Sequence, residues 1–324
     1  MYYFAQGGGR AQQAFTMAEI LLSLTIIGVV AAITLPSLTG NINERTWNTQ
    51  RKALYARFSQ AMALMPSLAG YGTINDNTDT TAETFITNGL SKVLKINNIC
   101  DNEHLEDCGL PAKINPQGAG SAIEFPLDLY SLNANFSGFY WGETLSYSLH
   151  NTVAAGFKTA NGESIAAFYN PDCIAIKSFF HEHGAVDCIA KKMCVNFIYD
   201  LNGSKGPNTI GKDMGWITVF NSIDPVVVAP LPATSNIRWR ATLDEVSDRC
   251  RKVDDETRLP NAYEMSSIMF NNKFINIDSE DITDFWTSSR DEQDLSKNIT
   301  VRLGQFALNR VARDQEHAIR CIKR

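Results

Sequence analysis

The chain opens with one long apolar stretch and then changes to short, mixed runs. Nineteen residues from Ile20 to Leu38 carry no formal charge. At about 1.5 Å of rise per residue, such a run spans roughly 28 Å as a helix, close to the thickness of a bilayer's hydrocarbon core. The pattern therefore predicts an N-terminal helix of membrane-spanning length.

The helical pattern continues past this run with only one apolar face. Apolar residues recur at three- and four-residue steps from Trp47 to Met65, with basic residues between them. We expect the helix to end before Pro66, because proline cannot donate the next helical hydrogen bond. A polar loop over residues 70–82 and a short helix over 83–96 should follow.

From about residue 97 the apolar runs are short and rich in β-branched and aromatic side chains, which is typical of strands. The clearest runs cover residues 123–132, 142–151, 165–169 and 194–203. Residues 226–233 read VVVAPLPA and indicate a linker or the edge of a sheet. The predicted class is α+β, with a long N-terminal helix packed on a small antiparallel sheet, and 324 residues allow more than one core.

A single carboxylate interrupts the apolar N-terminal stretch. Glu19 is the only charged residue between Ala11 and Leu38, and an acid at the centre of a bilayer costs roughly 2.5 kcal/mol or more. Ala14 and Phe15, a small residue before a large one, stand ahead of the apolar run. A secretory signal peptide would instead be cleaved after its apolar stretch.

This order of Ala14, Phe15, Glu19, apolar run and Pro36 resembles the type IV prepilins, which include the type II secretion pseudopilins. Alanine stands at position 14, where glycine is usual. The resemblance implies that a prepilin peptidase cleaves after Ala14, N-methylates Phe15 and releases residues 1–14 as a leader. Glu19 would pair with the N-terminal amine of a neighbouring subunit, and Pro36 would loosen the helix.

The same resemblance implies where the protein is located. Residues 15–38 would lie in the inner membrane and later in the core of a filament, with the C-terminal body outside the cytoplasm. Two alternatives remain, an uncleaved membrane anchor and signal-peptidase cleavage near Val30-Ala31-Ala32. Either would make the chain an anchored or secreted surface protein and leave Glu19 without a role.

Composition and cysteine content narrow the choices further. The formal net charge is −6 and no basic cluster is present, so nucleic acid is not indicated as a partner. An extracytoplasmic body would favour disulfides among the seven cysteines. Near neighbours suggest Cys100–Cys108, and Cys173 with either Cys188 or Cys194. Cys250–Cys321 would then close the C-terminal region and one thiol would stay free.

One polar loop has the residue types of a cation site. Residues 199–213 read YDLNGSKGPNTIGKD, with oxygen donors at Asp200, Asn202 and Asp213. An Asp-x-Asn-Gly opening suits calcium, although the closing Glu of an EF-hand is missing. Asx-turns explain the same residues. The run also resembles a loop of pilin-like secretion proteins, some of which hold calcium, so Ca²⁺ is the one candidate cofactor.

The C-terminal third carries three short motifs in order. RLPNAYE covers residues 258–264, FWTSS covers 285–289, and RCIKR ends the chain. Together they resemble the C-type-lectin-like modules of bacterial surface proteins, which share a fold with formylglycine-generating enzymes. Neither Glu-Pro-Asn nor Gln-Pro-Asp is present for calcium-bridged sugar binding. A structural role is favoured over recognition of a glycan or other surface ligand.

The expected organisation is a leader at 1–14, a pilin helix at 15–66, a pilin-like head at 67–232 and a C-type-lectin-like module at 233–324. No catalytic motif is found, so an enzyme is not expected. The expected function is that of a prepilin-like subunit of a type IV pilus or secretion pseudopilus, at a minor or tip position. Its partners would be the prepilin peptidase, other pilin subunits and the membrane. The alternative is a surface adhesin that uses the C-terminal module.

Overall fold

The computed structural model shows a mixed α+β protein with several antiparallel sheets. It describes residues 17–68, 81–118, 120–124, 154–175, 192–221, 226–228, 239–253, 257–271, 284–291, 294–302 and 307–323. The chain divides into two compact units, Met1–Thr49 and Gln50–Arg324. The α+β class expected from the sequence is confirmed at this level.

The first element is a helix, α1 (Met17–Leu68), which ends close to the stop predicted at Pro66. Within the second unit its apolar residues lie on one face and are buried, at three- and four-residue steps: Leu54, Phe58, Ala61, Met62 and Met65. Phe58 makes an edge contact with Phe197, at 5.0 Å between ring centroids. This face therefore packs on the sheet described next.

The remaining helices are short. They are α2 (Ala82–Phe85), a π-helical turn (Ile86–Leu90), α3 (Ser91–Val93), α4 (Leu243–Val253) and α5 (Ala262–Phe270). Thr81 caps α2 by accepting a hydrogen bond from the backbone N–H of Thr84, as a β-hydroxyl at this position commonly does. The three helical pieces from 82 to 93 lie within the range predicted as one short helix.

Fifteen strands are described. They are β1 (Ile96–Cys100), β2 (Lys113–Ile114), β3 (Ile123–Glu124), β4 (Ala154–Thr159), β5 (Ser164–Ala175), β6 (Lys192–Asp200), β7 (Met214–Asn221), β8 (Val226–Val228), β9 (Trp239–Ala241), β10 (Thr257–Arg258), β11 (Asp284–Arg290), β12 (Lys297–Arg302), β13 (Ala307–Ala312), β14 (His317–Ile319) and β15 (Ile322–Lys323).

The larger sheet is an antiparallel meander in the order β1-β4-β5-β6-β7-β8. The runs predicted at 165–169 and 194–203 fall mainly in β5 and β6, and Val226–Val228 forms the edge strand β8. The run predicted at 142–151, and most of that at 123–132, lie outside the described residues. From β4 to β8 the strands pair in chain order, whereas β1 pairs with β4 across the sequence of β2 and β3.

The second sheet has the order β13-β12-β11-β14-β9, in which only β11 and β14 run parallel. Helix α5 packs against residues of both sheets. Its Met265, Ile268 and Met269 belong to the same buried cluster as Phe168 and Phe220 of the first sheet, and as residues of the second. The predicted domain boundary at 232 stays a prediction, because residues 229–238 lie outside the described part.

Two of the expected disulfides are confirmed. Cys100 is bonded to Cys108, and Cys250 to Cys321, with Cα atoms 6.0 and 5.6 Å apart. The expected pairing of Cys173 with Cys188 or Cys194 stays a prediction, since these side chains lie outside the described part of the chain. The first bond closes a short loop beside β1, and the second ties α4 to the C-terminal strand.

Candidate functional site

The residues expected to direct processing and assembly lie at the start of the chain. Ala14 and Phe15 are outside the described residues. Glu19 and Pro36 lie within α1, but their side chains are outside the description, as are those of residues 33–42. Their proposed roles therefore stay predictions.

The part of α1 that belongs to the first unit has solvent-exposed apolar side chains in the single chain. Ile20, Leu24 and Ile27 are 50%, 61% and 64% exposed. Leu21 and Leu22 are similarly exposed, so the surface is apolar around the helix and not along one stripe. An apolar surface of this kind is typical of a helix that other molecules cover. Among the residues that the structure describes, no helix is both long and apolar enough to cross a membrane.

The candidate cation loop connects β6 to β7 at one end of the larger sheet. Asp213 is fully buried, and its two carboxylate oxygens accept hydrogen bonds from the backbone N–H groups of Asn208 and Thr209, both at 2.9 Å. Asn208 has a positive φ of 51°, which asparagine tolerates better than most residues. The Asp213 carboxylate thus closes the loop upon itself.

Asp200 and Asn202 lie at the start of the same loop, which the backbone hydrogen bond from Leu201 to Asp213 brings next to its end. The Asp200 carboxylate accepts a hydrogen bond from the backbone N–H of Asn202 at 3.0 Å, which is an Asx-turn. The Asn202 amide donates to the carbonyl of Gly206 at 3.0 Å. Burial, together with repulsion from Asp213, raises the pKa of Asp200 to about 7. Asp200 and Asn202 therefore form the Asx-turn structure that the sequence allowed. One side-chain oxygen of each residue has no hydrogen-bond partner in the described structure.

Helix α1 holds this loop through a residue that sequence reasoning missed. The Arg51 guanidinium donates hydrogen bonds to the carbonyl oxygens of Gly211 and Lys212, at 3.1 and 2.6 Å. Only 4% of Arg51 is exposed. The partners are about 160 residues apart in sequence, and no local pattern could have paired them.

A second arginine of α1 fastens the neighbouring turn between β4 and β5. Arg57 forms a two-pronged ion pair with Glu163, whose second oxygen also accepts from Thr159. Burial opposes ionisation of Glu163, but these hydrogen bonds and the arginine charge outweigh it and hold its pKa below the usual value. Both turns at this end of the sheet are thus attached to α1.

The expected calcium ligands do not form a conventional cluster. Within the described ranges, no three His, Cys, Asp or Glu side chains are grouped so that they could hold a metal ion. Asp200 and Asp213 are the only carboxylates of the predicted set, and calcium takes six to eight oxygens as a rule. Neutral oxygens would have to supply the rest, so calcium binding by Asp200, Asn202 and Asp213 stays a prediction.

The first C-terminal motif organises the start of α5. Asn261 caps the helix by accepting from the backbone N–H of Glu264, and Glu264 accepts in return from the backbone N–H of Asn261, both at 2.8 Å. Arg258 donates to both carboxylate oxygens of Glu264, at 2.8 and 2.6 Å. These side chains therefore stabilise the helix terminus.

The other two motifs attach to this helix start. The Ser289 hydroxyl accepts from the backbone N–H of Ala262 at 3.0 Å, and the Ser288 N–H donates to the carbonyl of Pro260 at 2.8 Å. At the chain end, Ile322 pairs with Arg258 across β10 and β15. Buried Trp286 donates from its indole N–H to the carbonyl of Ala241 at 2.8 Å. The three motifs are thus in contact with one another, and their polar groups stabilise the fold.

A buried polar network joins the larger sheet to α5. Asn196 and Asn271 exchange amide hydrogen bonds at 2.9 and 3.2 Å. Thr218 and Ser267 are hydrogen-bonded at 2.6 Å, and the indole of Trp216 donates to the Ser267 hydroxyl at 3.0 Å. Buried groups of this kind are costly unless paired, so the network specifies how α5 sits on the sheet.

The comparisons with known proteins add no family to these observations. No protein-family model matches the chain, and no curated protein matches it.

Proposed function

We propose that this chain is a prepilin-like subunit of a type IV pilus or type II secretion pseudopilus, cleaved after Ala14 and assembled through α1. In this proposal α1 is the pilin helix, the larger sheet belongs to the globular head, and the segment from residue 233 is a C-type-lectin-like module. Its partners are the prepilin peptidase and other pilin subunits. Before assembly it lies in the inner membrane with the body outside the cytoplasm.

The observation that carries this proposal is the lone acid at the start of an exposed apolar helix. Glu19 stands four residues after Phe15, and Ile20, Leu24 and Ile27 behind it are exposed in the single chain. An unpaired charge in an apolar surrounding is costly. The free amine of Phe15 in an adjacent subunit would neutralise it, which gives both groups a reason to be there.

The second half of the same helix supports a head that is built on it. Leu54, Phe58 and Met62 are fully buried, and Arg51 and Arg57 attach two turns of the sheet. A force applied to the helix would therefore be transmitted directly to the head. A C-terminal segment as large as residues 233–324 would crowd a packed shaft, so we propose a minor or tip position.

An adhesin that uses the three C-terminal motifs is the less favoured alternative. Arg258 and Glu264 are engaged with each other and with the helix start. Ser289 also serves that helix. The polar groups of these side chains already make hydrogen bonds that stabilise the start of α5, so they provide no argument for a glycan site.

Mass spectrometry of the mature N-terminus tests the proposal most directly. The protein is isolated from the membrane or filament fraction of cells that contain a prepilin peptidase, and from a matched strain without it. We expect a chain that begins with N-methyl-Phe15 in the first strain and an intact leader in the second. A start at Met1 in both strains, or a start near Ile33, would contradict the proposal.

A further inference from the structure

Three buried side-chain oxygens at one end of the larger sheet have no hydrogen-bond partner in the described structure. They are the hydroxyl of Ser164, one carboxylate oxygen (Oδ2) of Asp200 and the amide oxygen (Oδ1) of Asn202. Ser164 and Asp200 are both fully buried. A buried polar atom without a partner is energetically costly. Three of them in one place call for a common explanation.

The chain brings these oxygens together from two strands and a loop. Ser164 at the start of β5 and Asp200 at the end of β6 are direct cross-strand partners, and the side chains of such partners lie on the same face. Asn202 is tied to Asp200 by the hydrogen bond from its backbone N–H. The three side chains therefore lie at the same end of the sheet, with Ser164 and Asp200 on one face.

Backbone groups without side chains form the rest of the surroundings. Gly203 has a positive φ of 68°, and a Cβ atom there would lie 3.4 Å from the carbonyl oxygen of Gly109 and 3.8 Å from the Ser164 hydroxyl. Gly109 itself has a positive φ of 81°, and a Cβ on it would lie 2.8 Å from the Ser164 hydroxyl. The two glycines thus leave space beside the Ser164 hydroxyl, which a Cβ on Gly109 would fill.

The chemistry of these groups selects the ligand. Carboxylate, amide, hydroxyl and carbonyl oxygens are the donors that a hard divalent cation takes. The negative charge of Asp213, which already raises the pKa of Asp200, adds to the attraction. Lys158 is a basic group close to the site, since its ammonium would lie 3.9 Å from a Cβ on Gly109. No ion pair between Lys158 and Asp200 is found among the described residues.

We propose that one hard divalent cation binds between Ser164, Asp200 and Asn202, with Asp213 outside its ligand set. This assignment differs from the loop-only set of Asp200, Asn202 and Asp213, because both oxygens of Asp213 already serve backbone N–H groups. The ion cross-links β5 to the β6–β7 loop. The same loop holds Arg51 of α1, so occupancy also strengthens the attachment of the helix. The proposal is independent of the filament function.

The test is a calcium titration of the full-length protein, followed by calorimetry and by thermal unfolding with and without CaCl₂. We expect Ca²⁺ to raise the melting temperature of the wild type. Asp200→Asn should weaken Ca²⁺ affinity at least 100-fold, and Ser164→Ala about 10-fold, because one removes the charge and the other a neutral donor. Glu163→Gln is the matched control, since it removes a charge beside the site but not from it.

The outcomes separate the two ligand sets. A loss of Ca²⁺ affinity in Asp200→Asn and Ser164→Ala, with unchanged affinity in Glu163→Gln, supports the proposed site. Unchanged affinity in Ser164→Ala overturns it and points to the loop-only set. A wild type whose calorimetric trace and melting temperature do not respond to Ca²⁺, Mg²⁺ or Mn²⁺ overturns it for every hard divalent ion tried.

Discussion

The two parts of α1 differ in the exposure of their apolar side chains. Leu24 in the first unit is 61% exposed, whereas Leu54 in the second is fully buried. Both are leucines in one unbroken helix, so composition does not separate them. The second part has a sheet of its own chain to pack on, with Phe58 against Phe197. One part of the helix contributes to the core of its own chain, and we propose that the other serves association.

The charges of the helix differ in the same way. Arg51 and Arg57 in the second unit find carbonyl and carboxylate partners within the chain. Glu19 in the first unit is proposed to find its partner in another subunit. A residue that acts between chains should leave the stability of the single chain unchanged, and a residue that acts within it should not. Three experiments test this distinction.

The largest expected effect is on assembly. Glu19→Ala should reduce incorporation into filaments at least 10-fold, because the neutralising partner of the Phe15 amine is lost. Thermal unfolding of the purified variant should match that of the wild type. Glu44→Ala, which removes an exposed acid from the same helix, is the control. Filament fractions that contain equal amounts of Glu19→Ala and wild type would refute an assembly role.

The matched pair Leu54→Ala and Leu24→Ala probes the packing of the two parts. Leu54→Ala should lower the free energy of unfolding by about 2–5 kcal/mol, because it leaves a cavity against the sheet. Leu24→Ala should change it by less than about 0.5 kcal/mol, since an exposed side chain loses little. Chemical denaturation measures both. Equal losses in the two variants would show that the first part is also packed within the chain.

The smallest expected effect concerns the ion pair of Arg57. Arg57→Met should destabilise the protein by about 1–2 kcal/mol at pH 7, because it leaves the buried Glu163 carboxylate without its cation. Since the folded-state pKa of Glu163 is lowered, its contribution is present above pH 4.5 and disappears as the pH falls through the folded value. The difference in unfolding free energy between wild type and Arg57→Met should therefore be largest above pH 4.5 and shrink as the pH falls below that value. A difference that is independent of pH would exclude the ion pair as its cause.

Local patterns predicted the elements better than their partners. The strands β5 and β6 and the bond Cys100–Cys108 follow the pattern and spacing of their own residues, whereas Cys250–Cys321 was inferred by pairing cysteines that near neighbours had left over. The polar network between Asn196 and Asn271 was not predictable, because each asparagine looks like an ordinary strand or helix-end residue on its own. Pairing over 75 residues depends on the fold and not on the local chain.

The candidate cation loop shows the same division within one site. Asp-x-Asn-Gly identified Asp200 and Asn202 as residues of interest. It gave no indication of Ser164, which the register of β5 against β6 places opposite Asp200. The wider run also predicted Asp213 as a ligand, which stays a prediction; in the folded loop both oxygens of that carboxylate accept hydrogen bonds from backbone N–H groups. Backbone donors compete for side-chain oxygens, and that competition is settled only in three dimensions.

The amino-acid sequence alone determined the apolar N-terminal run, its single acid Glu19, the helical periodicity to Met65 and the strand-like runs after it, because these depend on neighbouring residues. The tertiary structure decided which apolar residues are buried, which carboxylates are paired and which oxygens remain unsatisfied. Those properties arise when distant segments such as Arg51 and the 200–213 loop come together. Burial and desolvation then set the charge and the hydrogen bonding of each group.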